Sequence, residues 1–322
     1  MSKQSNIYRL RSFGLPDIED PEDFANATKL SVNRIQLLHT LADRFYKVYP
    51  IQKGNGEERI IAQPSRELKA LQGWILRNIL DKLKSSKQSK GFELNSSILD
   101  NASPHVGAAF ILNVDLKNFF PTIEANKIFS IFKSIGYNDR ICVLLTNLCS
   151  YNGRLPQGAP TSPKLANLIC ARLDARIQGY SGPRGIIYTR YADDITLSAQ
   201  TAKKIYRAQR FLKYLIDEEG FQINEAKTRV YGTMSRKAVT GLVISGDRVG
   251  IGRKKYREIR ALIHQIFTGR ADNYPYLNGY LSFCYSVDIK SYRRFYKYIN
   301  KLRKQYPLSP AKNIISQEKT SS

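Results

Sequence analysis

Ile187-Tyr-Thr-Arg-Tyr-Ala-Asp193-Asp194-Ile-Thr-Leu-Ser198 reads as two short strands with a tight turn between them, and the turn carries two adjacent aspartates. Like charges side by side repel, so a folded chain tolerates the pair only with compensation. Carboxylate oxygens are hard ligands, and a divalent cation is the natural compensation. Upstream, Asp115 ends the apolar run Ala109-Phe-Ile-Leu-Asn-Val114 and brings a third carboxylate from a neighbouring strand. Three such groups suit a pair of magnesium ions about 4 Å apart, the arrangement that serves in-line phosphoryl displacement. The tetrapeptide Tyr191-Ala-Asp-Asp194 is short and says only that a metal is expected.

On either side of the aspartates the apolar spacing alternates between helix and strand. Upstream, Ser31 caps a helix with Ile35, Leu38, Leu41 and Phe45 on one face. Tyr46 to Ile51 and Glu58 to Gln63 flank Lys53-Gly-Asn-Gly56 and read as a hairpin. Ser65 opens a helix with Leu68, Leu71, Ile75, Ile79 and Leu83 three or four apart. The strand Phe110 to Leu116 leads to two helices, around Ile128 to Phe132 and Ile141 to Leu148, then to a Gly/Pro-marked loop, Asn152 to Pro160. A helix from Ser162 to about Ile177, the two strands, a helix from Ala202 to Glu219 and strand-like runs at Thr228 to Tyr231 and Val239 to Ser245 follow. Strand, helix, hairpin, helix, strand is the order of a split βαβ, ferredoxin-like sheet, here with a helical insertion. Beyond Arg253, three helical stretches interrupted at Gly269 and near Asp288 form a basic, all-helical unit.

Composition narrows the partners. Lys and Arg number 51 against 27 acidic residues, a formal charge of +24. From Asp247 onward, 16 basic residues meet 5 acidic ones and are interleaved with 12 Phe and Tyr, including Tyr256, Tyr274, Tyr276, Tyr280 and Tyr292. Bases neutralise phosphates while rings offer faces to bases or riboses, so the segment suits nucleic acid. A solvated basic surface over a tyrosine-rich core is the bland alternative. Cys142, Cys149, Cys170 and Cys284 form no Cys-x-x-Cys pair and read as buried free thiols in a reducing compartment. Met1-Ser-Lys-Gln-Ser-Asn6 lacks an apolar stretch and no run reaches membrane-spanning length, so the expectation is a soluble, cytoplasmic protein with no membrane partner.

Longer strings make the chain recognisable. Asp115-Leu-Lys-Asn-Phe-Phe-Pro121, Leu155-Pro-Gln-Gly-Ala-Pro-Thr-Ser-Pro163, Tyr191-Ala-Asp-Asp194 and Gly220-Phe-Gln-Ile-Asn-Glu-Ala-Lys-Thr228 resemble, in order and spacing, four polymerase motifs of reverse transcriptases. Asn101-Ala-Ser-Pro-His105 and Val239-Thr-Gly241 resemble the Asn-Ala-x-x-His and Val-Thr-Gly signatures of bacterial retron reverse transcriptases. The resemblance implies an α+β right-hand polymerase: fingers and ferredoxin-like palm over residues 1–245, and a helical basic thumb, the RNA-recognition region, over 246–322. It implies RNA-directed DNA synthesis with dNTPs and two Mg2+ ions held by Asp115, Asp193 and Asp194. The template would be a cognate structured non-coding RNA, the primer an internal guanosine 2'-hydroxyl, and the cDNA product a multicopy single-stranded DNA. A separate retron effector protein would place the complex in anti-phage defence.

Roles carry over residue by residue. Phe120 matches the position whose ring packs under the incoming sugar and excludes a 2'-hydroxyl; plain core packing is the alternative. Gln157 and Gly158 match residues against nucleotide and template, or form a simple helix-entry turn. Arg59 matches a fingers base that grips triphosphate, and Lys227 a lysine that protonates departing pyrophosphate; either also reads as an ordinary exposed base. Asn101 and His105, four apart on a helix, either contact RNA or hold local structure, and the structural role is favoured. Gly241 is expected to permit a bulge or a close approach of nucleic acid. About 75 residues with 5 acidic side chains follow the palm, fewer than the roughly 100 a ribonuclease H fold takes, so a host ribonuclease H is expected to trim the template. Another bacterial reverse transcriptase type, or a non-catalytic RNA-binding scaffold, are the competing readings.

Overall fold

The computed structural model describes residues 9–52, 56, 58–309 and 311. Residues 53–55 of the expected Lys53–Gly56 turn and the amino-terminal Met1–Asn6 string lie outside the described residues. The flanking strands β1 (Tyr46–Gln52) and β2 (Glu58–Pro64) pair antiparallel, with Ile51 opposite Arg59, as the hairpin reading requires.

The palm is a four-stranded antiparallel sheet of β3 (Phe110–Asp115), β4 (Ile187–Tyr191), β5 (Asp194–Ala199) and β6 (Arg229–Tyr231), in spatial order β4-β5-β3-β6. With β3 counted first, that is the ferredoxin-like order. Side chains alternate across a strand, and β3 uses both faces. Leu112 and Val114 join Ile195 and Leu197 in a core against helices Ala171–Ser181 and Ala202–Glu218, which supply Leu173, Ile177, Ile205 and Leu212. Ile111 points the other way, into a second core, and Asn113 and Asp115 share its face.

That second core is built mostly by the chain's last quarter. Helices Gly252–Phe267, Tyr274–Val287 and Ile289–Gln305 supply Ile259, Ile263, Leu281 and Phe295. A small sheet of β7 (Lys237–Val239), β8 (Leu242–Ser245) and β9 (Arg248–Gly250) adds Val239, Leu242 and Ile244. Ala102, Ala108 and Ile111, far earlier in sequence, complete it.

Several expectations shift by local geometry. Val239 to Ser245 is not one strand: Thr240 and Gly241 take φ of 44° and 82° and turn β7 into β8, so Gly241 serves a hairpin turn. The helix from Ser162 ends at Ile169 and restarts at Ala171, because Cys170 has ψ of −3°. Helix Val32–Thr40 stops short of Leu41 and Phe45, which enter and close a 3-10 turn. Asn101 and His105 lie on consecutive short helices, Ile98–Ala102 and the 3-10 turn Ser103–His105, rather than on one. All four cysteines are free and buried. Among the described residues no helix is long and apolar enough to cross a membrane.

Candidate active site

The strand ends deliver the carboxylates. Asp115 closes β3 and stands directly opposite Asp194, the first residue of β5. Asp193 occupies the two-residue turn with Ala192, whose φ of 58° is what tightens the hairpin. The Asp193 carbonyl accepts from the Leu116 N–H at 3.1 Å and locks the tip to the end of β3. Thus one register brings together three acids that sequence separates by nearly eighty residues.

Two neighbours hold Asp115. Asn224 donates its backbone N–H to the Asp115 carbonyl at 2.8 Å and its side-chain amide to Oδ1 at 3.0 Å. The Lys227 ammonium lies 3.1 Å from Oδ1 and 3.2 Å from Oδ2. Arg59, reaching from β2, lines the same cleft of about 370 Å³ as Asp115, Asp193, Asp194 and Lys227. Burial, then the charge of Asp115, raises the Asp193 carboxyl above the usual range, with Lys227 and Arg59 pulling it back. Asp194 keeps an exposed edge at the cleft rim, yet the protein around it, then Asp193 and Asp115, push it up to about 6.

Acids crowded this way call for positive charge. Among the described residues no three His, Cys, Asp or Glu side chains converge as a finished metal cage. The donor set nevertheless fits hard divalent ions, since Asp115 raises the proton affinity of both Asp193 and Asp194 and an ammonium already leans on Asp115. Asp115, Asp193 and Asp194 are the residues that would hold such ions.

A buried polar framework fixes the hairpin, and the sequence reading passed over it. Arg190 and Asp174 are both fully buried and form a two-pronged ion pair, with Nε and Nη2 at 2.8 and 2.7 Å from the carboxylate oxygens. Arg190 also donates to Asn167 Oδ1 and to the Ala192 carbonyl, each at 3.0 Å, and so grips the turn itself. Tyr188 donates its hydroxyl to Asp174 at 2.6 Å. A signal was available: Asp174 sits with Cys170, Leu173 and Ile177 on the apolar face of its helix, where a lone carboxylate demands a buried partner.

The remaining candidates surround this centre. Phe120 is half-buried in a cluster with Phe119, at 5.4 Å between ring centroids, and Phe92, at 6.3 Å. Phe92 in turn lies 6.4 Å from Tyr191, beside the aspartate turn. The Gln157 carbonyl accepts from the Ala62 N–H at 2.9 Å. Gly158, at φ of 133°, packs so closely on β2 that an added Cβ would meet the Ala62 carbonyl oxygen at 2.8 Å. The Gln157–Gly158 loop therefore docks on the strand that carries Arg59, and not on the carboxylates. His105 is buried, with its ring nitrogens 2.7 Å from Ser198 Oγ and 2.8 Å from Thr189 Oγ1. It ties β5 to β4, and burial lowers its pKa to about 4, so it is a neutral structural cross-link. Asn101 reaches Thr240 at 3.4 Å, so the two signature strings touch. In the C-terminal unit, Arg248, Arg253, Arg257, Arg260 and Arg294 line one cleft of about 640 Å³.

An antiparallel palm with paired carboxylates at its strand ends, faced by a basic hairpin and followed by a basic helical unit, defines a template-directed nucleotide polymerase of right-hand architecture. The family model for reverse transcriptase (RNA-dependent DNA polymerase) matches residues 51–266. The chain is 56% identical over 312 residues to the retron Ec86 reverse transcriptase of Escherichia coli, covering 95% of this chain and 98% of that one. It is 32% identical to the retron Mx162 reverse transcriptase of Myxococcus xanthus, over 94% of this chain and 71% of the relative. A solved apo telomerase of Candida tropicalis aligns at a TM-score of 0.48 and 10% identity, over 83% of this chain and 58% of that one, too distant to add to the assignment. The chain belongs to the bacterial retron reverse transcriptases, and it is an RNA-directed DNA polymerase.

Proposed function

We propose that the chain copies a cognate structured non-coding RNA into multicopy single-stranded DNA, starting from a guanosine 2'-hydroxyl within that RNA. The observation that carries the reading is the direct cross-strand pairing of Asp115 with Asp194 beside Asp193, in a chain of retron type. Two Mg2+ ions held by these three carboxylates would lower the pKa of the primer hydroxyl and stabilise the charge of departing pyrophosphate.

The chain's own residues do the rest. Arg59 faces the carboxylates across the cleft, where a cation meets the triphosphate. Lys227, with Nζ 3.1 Å from Asp115 Oδ1, would give a proton from Nζ to a pyrophosphate oxygen. Phe120, linked to the hairpin through the Phe92 ring, would present its own ring to the incoming sugar, where a 2'-hydroxyl would collide. Gln157 and Gly158 set the fingers strand against the palm and border the nucleotide and template. We also propose that residues 1–245 act as fingers and palm and 246–322 as the thumb that recognises the RNA, supported by the five-arginine cleft of the latter. A separate effector held in check by the RNA–DNA–protein complex, a host ribonuclease H that trims the template, a cytoplasmic location and an anti-phage role complete the reading.

Purified protein should carry a short DNA joined to a folded RNA, detected by sequencing the co-purifying nucleic acid. Replacing Asp193 and Asp194 together with Ala should abolish that DNA while the RNA stays bound. DNA made by the double variant would refute the catalytic assignment, and bulk RNA without attached DNA would refute the retron product.

A further inference from the structure

Phe92 carries three features that nothing in the fold requires. Its backbone sits at φ of 60°, a left-handed conformation that a bulky side chain adopts only under strain. The residue is 48% exposed, so burial does not repay that strain. The segment around it is nevertheless clamped by buried groups. Asn167, fully buried, donates to the Gly91 carbonyl at 2.7 Å and to Glu93 at 2.8 Å, and Lys164 holds Glu93 at 2.9 Å. Gly91 lies so tightly on the aspartate hairpin that an added Cβ would meet the Ala192 nitrogen at 2.7 Å. Lys90 and Arg190 exchange backbone hydrogen bonds with this stretch, Lys90 N–H to the Arg190 carbonyl at 2.7 Å and Arg190 N–H to the Gln88 carbonyl at 2.8 Å. The strained ring is thus referenced to the catalytic turn through the backbone and touches two rings only, Phe120 and Tyr191, among the aromatic pairs of the described residues.

We propose that Phe92 is a specificity-determining residue for the polymerase: it positions the Phe120 ring and so fixes how strictly a 2'-hydroxyl is refused. The inference rests on the reading of Phe120 as the sugar gate. Strain is kept where geometry matters to function, and a half-exposed aromatic wedged between the gate and the hairpin sets the gate's depth. Phe119 also lies 5.4 Å from the Phe120 ring, so loss of Phe92 leaves the gate with one of its two aromatic neighbours.

The test compares kcat/KM for a dNTP and the matching rNTP on a defined primer–template, in wild type and in Phe92→Ala, Phe92→Tyr, Phe120→Ala and the Phe92→Ala/Phe120→Ala pair. Phe92→Ala should lower the dNTP-to-rNTP ratio about fivefold, a change of the size a lost apolar contact makes to discrimination. Phe92→Tyr should restore it, and in the Phe120→Ala background Phe92→Ala should change the ratio no further. If Phe92→Ala lowers both efficiencies equally and leaves the ratio intact, while Phe120→Ala shifts it, Phe92 is scaffold and the inference is overturned with the gate surviving. If Phe120→Ala itself leaves the ratio unchanged, the gate reading is wrong and this inference goes with it. Thermal melting of each variant accompanies the kinetics; Phe92→Leu, which keeps apolar bulk, replaces Phe92→Ala if the latter does not fold.

Discussion

At the residue scale, the raised pKa of Asp194 makes a measurable statement about stability. In the unfolded chain this carboxyl titrates in the ordinary range, whereas in the folded protein it titrates at about 6. Between those values the native state binds more protons, so this group's contribution to stability falls as pH rises and its penalty is complete above about pH 6. His105 acts oppositely over an overlapping window, since its folded pKa near 4 makes stability rise with pH. The difference between Asp194→Asn and wild type isolates the aspartate. Without divalent cations, the variant should melt higher at pH 7.5 and show no advantage at pH 4; added Mg2+ should raise the wild-type midpoint more than the variant's. Differential scanning fluorimetry across pH reads both, and equal midpoints at pH 7.5 would contradict the crowding of the acids. Asp115, Asp193 and Asp194 were legible in the sequence because each lies in a short string with its own local logic. The Arg190–Asp174 pair was legible only by half, because the apolar-face position of Asp174 demands a buried partner without saying which residue, sixteen positions on, supplies it.

At the element scale, the contact between β2 and the Gln157–Gly158 loop sets how the fingers hairpin faces the carboxylates. Gly158→Ala meets two obstacles at once, a left-handed φ of 133° and the Ala62 carbonyl oxygen 2.8 Å from the new Cβ. We expect destabilisation of about 1–3 kcal/mol from the backbone alone. Because β2 also bears Arg59, the KM for dNTP should rise several-fold; an unchanged melting curve and KM would mean that the loop and strand part without consequence. Sequence placed the loop and its glycine but not their docking on β2, because a Gly-rich loop before a helix reads alike whether or not it also packs on a strand. The Val239–Ser245 run misled for a related reason: Thr240 at φ of 44° is an unusual turn residue, so apolar continuity concealed the hairpin. The order of the palm elements, by contrast, was fully readable, since each keeps its own apolar period over enough residues.

At the scale of the whole molecule, the charge of +24 makes the proposed hold on RNA a matter of salt. Arg253, Arg257 and Arg260 share one face of their helix, and with Arg248 and Arg294 they line the cleft of the C-terminal unit. Each phosphate neutralised adds about 0.7 to the slope of log affinity against log salt for single-stranded RNA. Changing these three helix residues to Gln should therefore flatten the slope by about 2, measured by anisotropy with labelled cognate RNA from about 50 to about 300 mM salt. An unaltered slope would move the RNA to another surface. The second core has a different consequence, for how the protein is made. Ala102, Ala108 and Ile111 leave the ribosome roughly 130 to 200 residues before Val239 to Ala311, which cover them. At about 5–20 residues per second the nascent palm waits for on the order of ten seconds or more with one face bare. Under the proposed function, RNA would meet a polymerase in which one later-made segment both completes the hydrophobic interior and bears the arginines, so that maturation of the fold and capture of the template become a single late event in the life of the chain.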